Sequence, residues 1–361
     1  MNILFIILFL ATGLIYRLID WGAFSNTEDF NLENCQVLGN FVGPEDIQVD
    51  SNNDILYISS TNYEASKKGK FENGGIYILD LKLQDAKPKL VSTDAPEEFR
   101  PHGISLYKDP ETGEQTLFVV NHRKNQDTIE AFDIIGRGTL KHRETFSDPK
   151  LTSPNDILGV GKRSFYVSQD NKYAHSNWKI FFASFLGLEG GSVFYYDGKD
   201  WKIVAEDIHY ANGLACSLDN KMLYLSETNK FRIQAYERNL ETGELSFKES
   251  YYLQAGPDNL NIDTQGNLWV AAFPSMLAIA KHLSNKSAKC PVQIIRLKFD
   301  EDNKVLDTKN MLTSSGENVS GITTVDLYKD KIIISGLLNS EVRMCSLPKE
   351  SPTENRNNVD L

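Results

Sequence analysis

Along this chain, short runs of β-branched and aromatic residues alternate with polar turns, and the alternation returns on a scale of roughly fifty residues. Six runs lead the repeat: DILYISS (54–60), QTLFVVN (115–121), SFYVSQD (164–170), KMLYLSE (221–227), NLWVAAF (267–273) and KIIISGL (331–337). A second, outer-looking run follows each one, at 74–81, 128–134, 191–198, 232–238, 292–299 and 341–347. Ahead of each leading run stands a short tag: PEDIQVD (44–50), PHGISLY (101–107), PNDILGV (154–160), ANGLACS (211–217), PDNLNID (257–263) and SGITTVD (320–326). Tag, strand, strand, six times over, predicts an all-β chain folded as a six-bladed β-propeller. A doubly wound α/β sheet needs an amphipathic helix between successive strands, and the pattern holds none there. Helical spacing is confined to the amino terminus and to stretches near 178–188 and 274–282. The repeats continue without a linker, so one domain is expected over 34–348. An apolar amino-terminal segment and linker (1–33) precede it, and a polar tail (349–361) follows.

The amino terminus opens with an uncharged apolar run at residues 3–16, ended by Arg17 and Asp20. So short a run does not comfortably cross a hydrocarbon layer of roughly 30 Å, and the core of a signal peptide is the first reading. A clear small-x-small cleavage site is missing. An uncleaved segment would leave an apolar helix as an anchor on a membrane or lipid-particle surface. Either outcome routes the chain into the secretory pathway, to an extracellular or lumenal site. The glycosylation sequons at Asn285 and Asn318 agree with that route.

Composition narrows the class. Of 361 residues, 41% are hydrophobic and 24% charged, which excludes a disordered chain and a polytopic membrane protein. A formal net charge of -11 repels phosphate backbones, so no nucleic-acid partner is expected. The four cysteines, Cys35, Cys216, Cys290 and Cys345, form no CxxC or Cys/His arrangement, and a zinc site is not predicted. A bridge between Cys35 and Cys345 would tie the two ends of the globular part together. Cys216 and Cys290 read as free and buried.

The tags carry the chemistry. Innermost strands of a propeller line its central channel, so residues at one repeat position converge on one level of it. The converging pairs are Glu45-Asp46, His102-Gly103, Asn155-Asp156, Asn212-Gly213, Asp258-Asn259 and Ser320-Gly321. Asn, Asp and Gly are ordinary turn residues, and one such tag would mean little. Six in phase bring four carboxylates and three amides into a narrow tube, with no Lys or Arg at the repeat position. Unpaired, those acids would destabilise the fold. Oxygen donors of mixed carboxylate and amide type suit Ca²⁺, and four negative charges balance two such ions. His102 would stand at the level of the metal, where an imidazole can activate water. His122, in VVNHR, could orient it or relay its proton. His142, His175, His209 and His282 occupy no repeat position. The absence of G-x-S-x-G, P-loop and HExxH motifs argues against a serine hydrolase, an NTPase and a zincin.

Taken in order, the apolar amino terminus, Cys35, GPEDI, PHGIS, VVNH, PNDI, ANG, PDN and Cys345 resemble the paraoxonase/arylesterase family of calcium-dependent lactonases over nearly the whole chain. The resemblance implies a six-bladed propeller with two Ca²⁺ ions in its tunnel, a disulfide joining its ends and an uncleaved amino-terminal anchor. It implies that Glu45, Asn155, Asn212, Asp258 and Asn259 hold a catalytic calcium. Asp46, Asp156 and the backbone carbonyl of Ile104 would hold a structural one. His102 matches the family's proposed general base and His122 its partner. Calcium would polarise the carbonyl of a lactone or ester substrate while His102 deprotonates water. Tyr63 and Tyr210 fall where the family puts aromatic pocket residues. Two departures touch the pocket: Ala272-Phe273 replaces the family's Cys-His, and Gln169-Asp170-Asn171 its Asn-Asp-His. Two other readings stand beside the hydrolase. One is a non-catalytic, membrane-tethered relative that keeps calcium for stability and acts as a chaperone or binding protein. The other is a sugar-acid lactonase of the gluconolactonase type, which normally lacks the anchor, the end-to-end disulfide and the PHGIS histidine.

Overall fold

The computed structural model describes residues 3–172 and 177–348. Residues 1–2, His175 and the 349–361 tail lie outside the described residues. Six antiparallel sheets of four strands each make a six-bladed β-propeller. The tags are themselves the innermost strands: Pro44–Asp50, Pro101–Lys108, Pro154–Gly159, Ala211–Cys216, Gly256–Ile262 and, in the sixth blade, Thr324–Tyr328. The six leading runs of the sequence are therefore second strands, and the outer-looking runs are third strands. This shifts the sequence reading by one place in every blade.

The reason lies in burial. Second strands such as Ile55–Ser60, Met222–Glu227 and Leu268–Phe273 are buried along their whole length, because both faces are covered by neighbouring blades. They read as continuous apolar runs, the strongest strand signal in the chain. Fourth strands lie at the rim and are mostly exposed, as in Trp201–Ile208 and Leu245–Tyr252, and they carry no such signal. The first blade's fourth strand is only Lys89–Leu90. The apolar core is distributed between blades. Phe118 and Val120 of the second blade pack with Ile157, Phe165 and Val167 of the third, the two Phe rings 5.1 Å apart.

The sixth blade closes the ring with strands from both ends of the chain. Cys35–Asn40 pairs antiparallel with Glu341–Ser346, opposing Cys35 to Cys345, and the two are joined by a disulfide. The linker before this strand is laid on the propeller. Phe30 bridges to Thr313, and the Asn31 amide donates to the carbonyls of Met311 and Ser346.

Four helices cap one mouth of the tunnel: α1 (Ile3–Asp20), α2 (Tyr63–Lys67), α3 (Asn177–Leu186) and α4 (Met276–Ser284). The last two are the helical stretches read near 178–188 and 274–282. Ser275 caps α4 by accepting from the Ala278 amide at 3.2 Å. The Met276 amide donates to the Trp21 carbonyl just after α1, so these two helices meet end to end. The Arg17 guanidinium donates to the carbonyls of Ser184 and Phe185 in the last turn of α3, the first of which also accepts from the Gly187 amide. Among the described residues no helix is long and apolar enough to cross a membrane.

Candidate metal centre and pocket

In five of the six innermost strands the ladder slips at the tag, between Pro44 and Asp46, Pro101 and Ile104, Pro154 and Ile157, Ala211 and Leu214, and Pro257 and Leu260. A bulge leaves one residue out of the pairing and re-aims its neighbours, so that both members of a tag pair leave the sheet plane toward the tunnel. The pairs also alternate. Blades one, three and five carry Asp46, Asp156 and Asn259 at the second position, whereas blades two and four carry Gly103 and Gly213. In the sixth blade, where Val325 pairs with Ile334 as Ile47 does with Ile58, Thr323-Thr324 and not the expected Ser320-Gly321 hold the tag position, because the innermost strand begins only at Thr324. Gly103 and Gly213 make room for the next blade. A Cβ on Gly103 would lie 2.6 Å from the Asn155 carbonyl oxygen and 2.8 Å from Asp156 Oδ1, and one on Gly213 2.5 Å from the Asp258 carbonyl oxygen. The amides that follow them are then free to bind the acids. The Ile104 amide donates to Asp46 Oδ2 at 2.8 Å, and the Leu214 amide to Asp156 Oδ2 at 2.7 Å.

The first members of the pairs face one mouth. Glu45, His102, Asn155, Asn212 and Asp258 line a cavity of about 650 Å³ on the helix-capped side. Asp46, Ile104, Asp156 and Asn259 line a smaller cavity of about 280 Å³ on the other side. Asn259 thus sits apart from the four residues with which the resemblance groups it. It still reaches that group, since its amide donates to Glu45 Oε1 at 3.0 Å.

Four oxygens in this tunnel are buried and have no hydrogen-bond partner among the described residues: Glu45 Oε2, Asn155 Oδ1, Asn212 Oδ1 and Asn259 Oδ1. The amide nitrogens of Asn212 and Asn259 are spent on Asp258 Oδ1 (2.5 Å) and Glu45 Oε1 (3.0 Å), which turns their oxygens outward as acceptors. Among the described residues the only ion-pair contact of Glu45, Asp46, Asp156 and Asp258 is that of Glu45 Oε1 with His102 Nε2, at 3.8 Å. Burial therefore pushes all four carboxyls up. Asp258 rises to about 8 and Asp46 to about 6, while burial and the neighbouring acids hold Glu45 and Asp156 well above the usual range. Such a donor set fits a hard cation: oxygen only, part carboxylate and part amide, with acceptors left over. No group of three or more His, Cys, Asp and Glu residues is arranged to hold a metal among the described residues, so the amides are indispensable to any such site.

Above the tunnel, the rings of His102 and His122 meet edge to face with centroids 5.0 Å apart. Burial, and then the charge His122 can carry, hold His102 well below the usual histidine range, so its imidazole is a neutral acceptor. Tyr63 and Tyr210 both line the large cavity. Tyr210 has φ 69, rare for an aromatic residue, and its phenol hydrogen-bonds to Asp170. Apolar side chains from the helices complete the wall, among them Trp21, Phe181, Met276 and Ile279.

Several contributors escaped the sequence reading. Burial pushes Asp170 to about 6, and it accepts from Ser153 Oγ and the Asn171 amide, each at 2.5 Å. Thr324 Oγ1 donates to Asp46 Oδ1 at 2.9 Å, and Thr323 Oγ1 to the Glu45 carbonyl at 2.7 Å. Asp326, raised to about 7 by burial, takes the Val49 amide at 2.6 Å and ties the sixth innermost strand to the first. One signal could have found Asp170. Each bulged tag pairs with the end of its second strand, so the residue after that strand stands beside the tag. Thr61, His122, Asp170 and Thr228 share this place; only His122 was given a role, and Asp170 was noted only within a departure from the family pattern. Away from the tunnel, Asn285 and Asn318 are exposed, while Cys290 is buried as a free thiol and Cys216 is half-buried.

Comparison with known proteins follows the same lines. A family model described as Arylesterase matches residues 28–347. The mouse serum paraoxonase/arylesterase 1 is 29% identical over 336 residues, covering 90% of this chain and 92% of its own. The rabbit serum paraoxonase/lactonase 3 is 25% identical, covering 88% and 90%. Among solved structures, the calcium-binding protein regucalcin of Agrobacterium tumefaciens superposes with a TM-score of 0.52 at 13% identity, over 86% of this chain and 92% of its own.

Proposed function

Because this chain belongs to the arylesterase family, we propose that it is a calcium-dependent hydrolase of lactones and aryl esters. The observation that carries this reading is the set of four buried oxygens, on four different blades, without a partner among the described residues: three belong to residues that line the large cavity, and the fourth, on Asn259, is tied to them through Glu45. Glu45, Asn155, Asn212, Asp258 and Asn259 would hold one Ca²⁺ there. Asp46, Asp156 and the Ile104 carbonyl would hold a second, deeper one. When bound, the pocket-side ion supplies polarisation of the substrate carbonyl and charge stabilisation for the oxyanion.

The remaining work falls to side chains. His102 is neutral and 3.8 Å from Glu45, so it can take the proton of an attacking water beside the ligand set. His122 stands behind it. Tyr63 and Tyr210 flank the polar end of the cavity, and the apolar helix side chains would receive the hydrocarbon part of the substrate. The disulfide and the two exposed sequons support a secretory route, and Leu14, Ile15, Tyr16 and Ile19, all exposed on α1, support attachment of this helix to a lipid surface. The deciding experiment is hydrolysis of a chromogenic aryl ester and of a simple lactone, with and without a calcium chelator. Chelator-sensitive turnover is expected. Inactivity of folded, calcium-loaded protein toward both would favour the non-catalytic relative.

A further inference from the structure

Asp127 ends the loop that begins at His122, just before the third strand of the second blade, and its side chain folds back under that histidine. It is 3% exposed, and its Oδ2 lies 3.4 Å from His122 Nδ1. Its Oδ1 is buried and has no hydrogen-bond partner among the described residues. A carboxylate oxygen left bare in a protein interior is destabilising, so an apolar residue would close this loop more favourably. The bareness has a chemical consequence: among the described residues no hydrogen-bond donor competes with the imidazole for this carboxylate, and the Arg100 guanidinium acts on it only through its charge. The ring itself is held from the backbone side, since the His122 amide donates to the Arg100 carbonyl at 3.0 Å and Arg100 Nε donates to the His122 carbonyl at 2.5 Å.

We propose that Asp127 is a positioning residue for His122, fixing the imidazole proton on Nδ1 and leaving Nε2 as the acceptor of the His102–His122 pair. A neutral imidazole has one donor and one acceptor nitrogen, and the carboxylate at Nδ1 decides which is which. The 3.4 Å separation is that of a resting site and shortens when the ring becomes cationic. The proposal rests on the hydrolytic reading of the cavity. There the attacking water loses a proton to His102, and a proton passes on to Nε2 of His122. The resulting imidazolium is stabilised by Asp127, and the proton returns to the leaving oxygen when the ester bond breaks. His102, Asp127, Asp170 and Arg100 are the titratable or charged groups that act on His122.

The test joins a spectroscopic and a kinetic readout. In protein labelled with ¹⁵N-histidine, the His122 ring should carry its proton on Nδ1, and Asp127→Asn should shift the population toward Nε2. Asp127→Asn should lower kcat by about 10–10³-fold with KM within about twofold, as expected for a wrong tautomer. Asp127→Glu should restore part of the loss, and Asp127→Asn should add nothing in a His122→Gln background. A wild-type His122 protonated on Nε2, an Asp127→Asn kcat within about twofold of wild type, or additive effects in the double variant would each overturn the assignment. If Asp127→Asn does not fold, the wild-type spectrum decides alone. If the wild type hydrolyses no ester or lactone, the hydrolytic reading fails, and the imidazole tautomer still tells whether Asp127 orients His122.

Discussion

The side-chain amide of Asn259 donates to Glu45 Oε1 at 3.0 Å, joining the fifth blade to the first across 214 residues of chain. The other oxygen of each residue, Asn259 Oδ1 and Glu45 Oε2, stays buried without a donor. A cation that takes up both oxygens therefore clasps the ring at its centre. Removing calcium with a chelator should lower the unfolding temperature and abolish hydrolysis, and calcium should restore both. At a hundredfold excess of calcium over its Kd, linkage gives a stabilisation of about 2.7 kcal/mol. Thermal unfolding followed against free calcium measures it, and a curve that ignores calcium would remove the metal from the account.

Without calcium the pH dependence should take a definite sign. Burial pushes Asp258 to about 8 and Asp46 to about 6, whereas the same groups titrate near 3.8 in the unfolded chain. Between these values the folded state retains protons that the unfolded state has released. Stability must then fall as pH rises. The contribution is fully present below 3.8 and lost as pH climbs through about 8. Chelated protein should therefore lose unfolding temperature steadily from about pH 5 to pH 8, a range in which ordinary carboxylates are already ionised. Calcium-loaded protein should show no such decline, and an opposite slope in the chelated protein would contradict the assignment of these acids.

Much of this site was legible because its residues recur in phase. Five of the six tag pairs could be aligned from spacing alone, and the residues so aligned do converge; in the sixth, the fold brings Thr323 and Thr324 to Glu45 and Asp46 in place of Ser320 and Gly321. The alternation of Gly103 and Gly213 with Asp46, Asp156 and Asn259 was equally present in the letters. Its meaning depends on the contact between neighbouring innermost strands, which no single blade reveals. The fourth strands were missed because, exposed at the rim, they keep no apolar pattern. Asp127 was passed over, and Asp170 was given no role of its own, for a different reason. Each stands in a polar loop, where an acid is ordinary, and only the fold turns it toward His122 or Tyr210.

His102→Gln should separate base catalysis from metal catalysis. The glutamine preserves the size and part of the hydrogen bonding of the imidazole and cannot take a proton. If His102 is the base, kcat for a lactone falls by about 10²–10⁴-fold while calcium affinity and unfolding temperature stay near wild type. A loss below about tenfold would leave activation of the water to the cation.

The disulfide between Cys35 and Cys345 joins the first and last strands of the sixth blade, separated by 310 residues. In the chain-entropy model, closing so long a loop stabilises by about 5 kcal/mol at most. Replacing both cysteines with serine should lower the unfolding temperature substantially. The specific activity of molecules that remain folded should be unchanged, because the bond lies toward the rim, away from the tunnel. Mass spectrometry of an unreduced digest should recover the two cysteines as one linked pair.

Asp46 and Asp258 should part company when each is changed to asparagine. Asp46 already has work without a metal: it accepts from the Ile47 amide, the Ile104 amide and Thr324 Oγ1, and so links the first, second and sixth blades. An amide at that position sets an NH₂ against donors, and Asp46→Asn should destabilise even the chelated protein by about 1–3 kcal/mol. Asp258 accepts a single side-chain donor, Asn212 Nδ2, at 2.5 Å and faces the large cavity. Its carboxyl is pushed to about 8 by burial, so near neutral pH it is mostly protonated without the cation and an amide replaces it at little cost. Asp258→Asn should therefore leave the chelated unfolding temperature close to wild type, yet lose both the calcium-dependent rise and more than about 10²-fold in kcat. Unfolding temperatures of the two variants in chelator and in calcium make the comparison. Equal destabilisation in chelator would mean that the tunnel does not divide its acids between holding the blades and holding the ion.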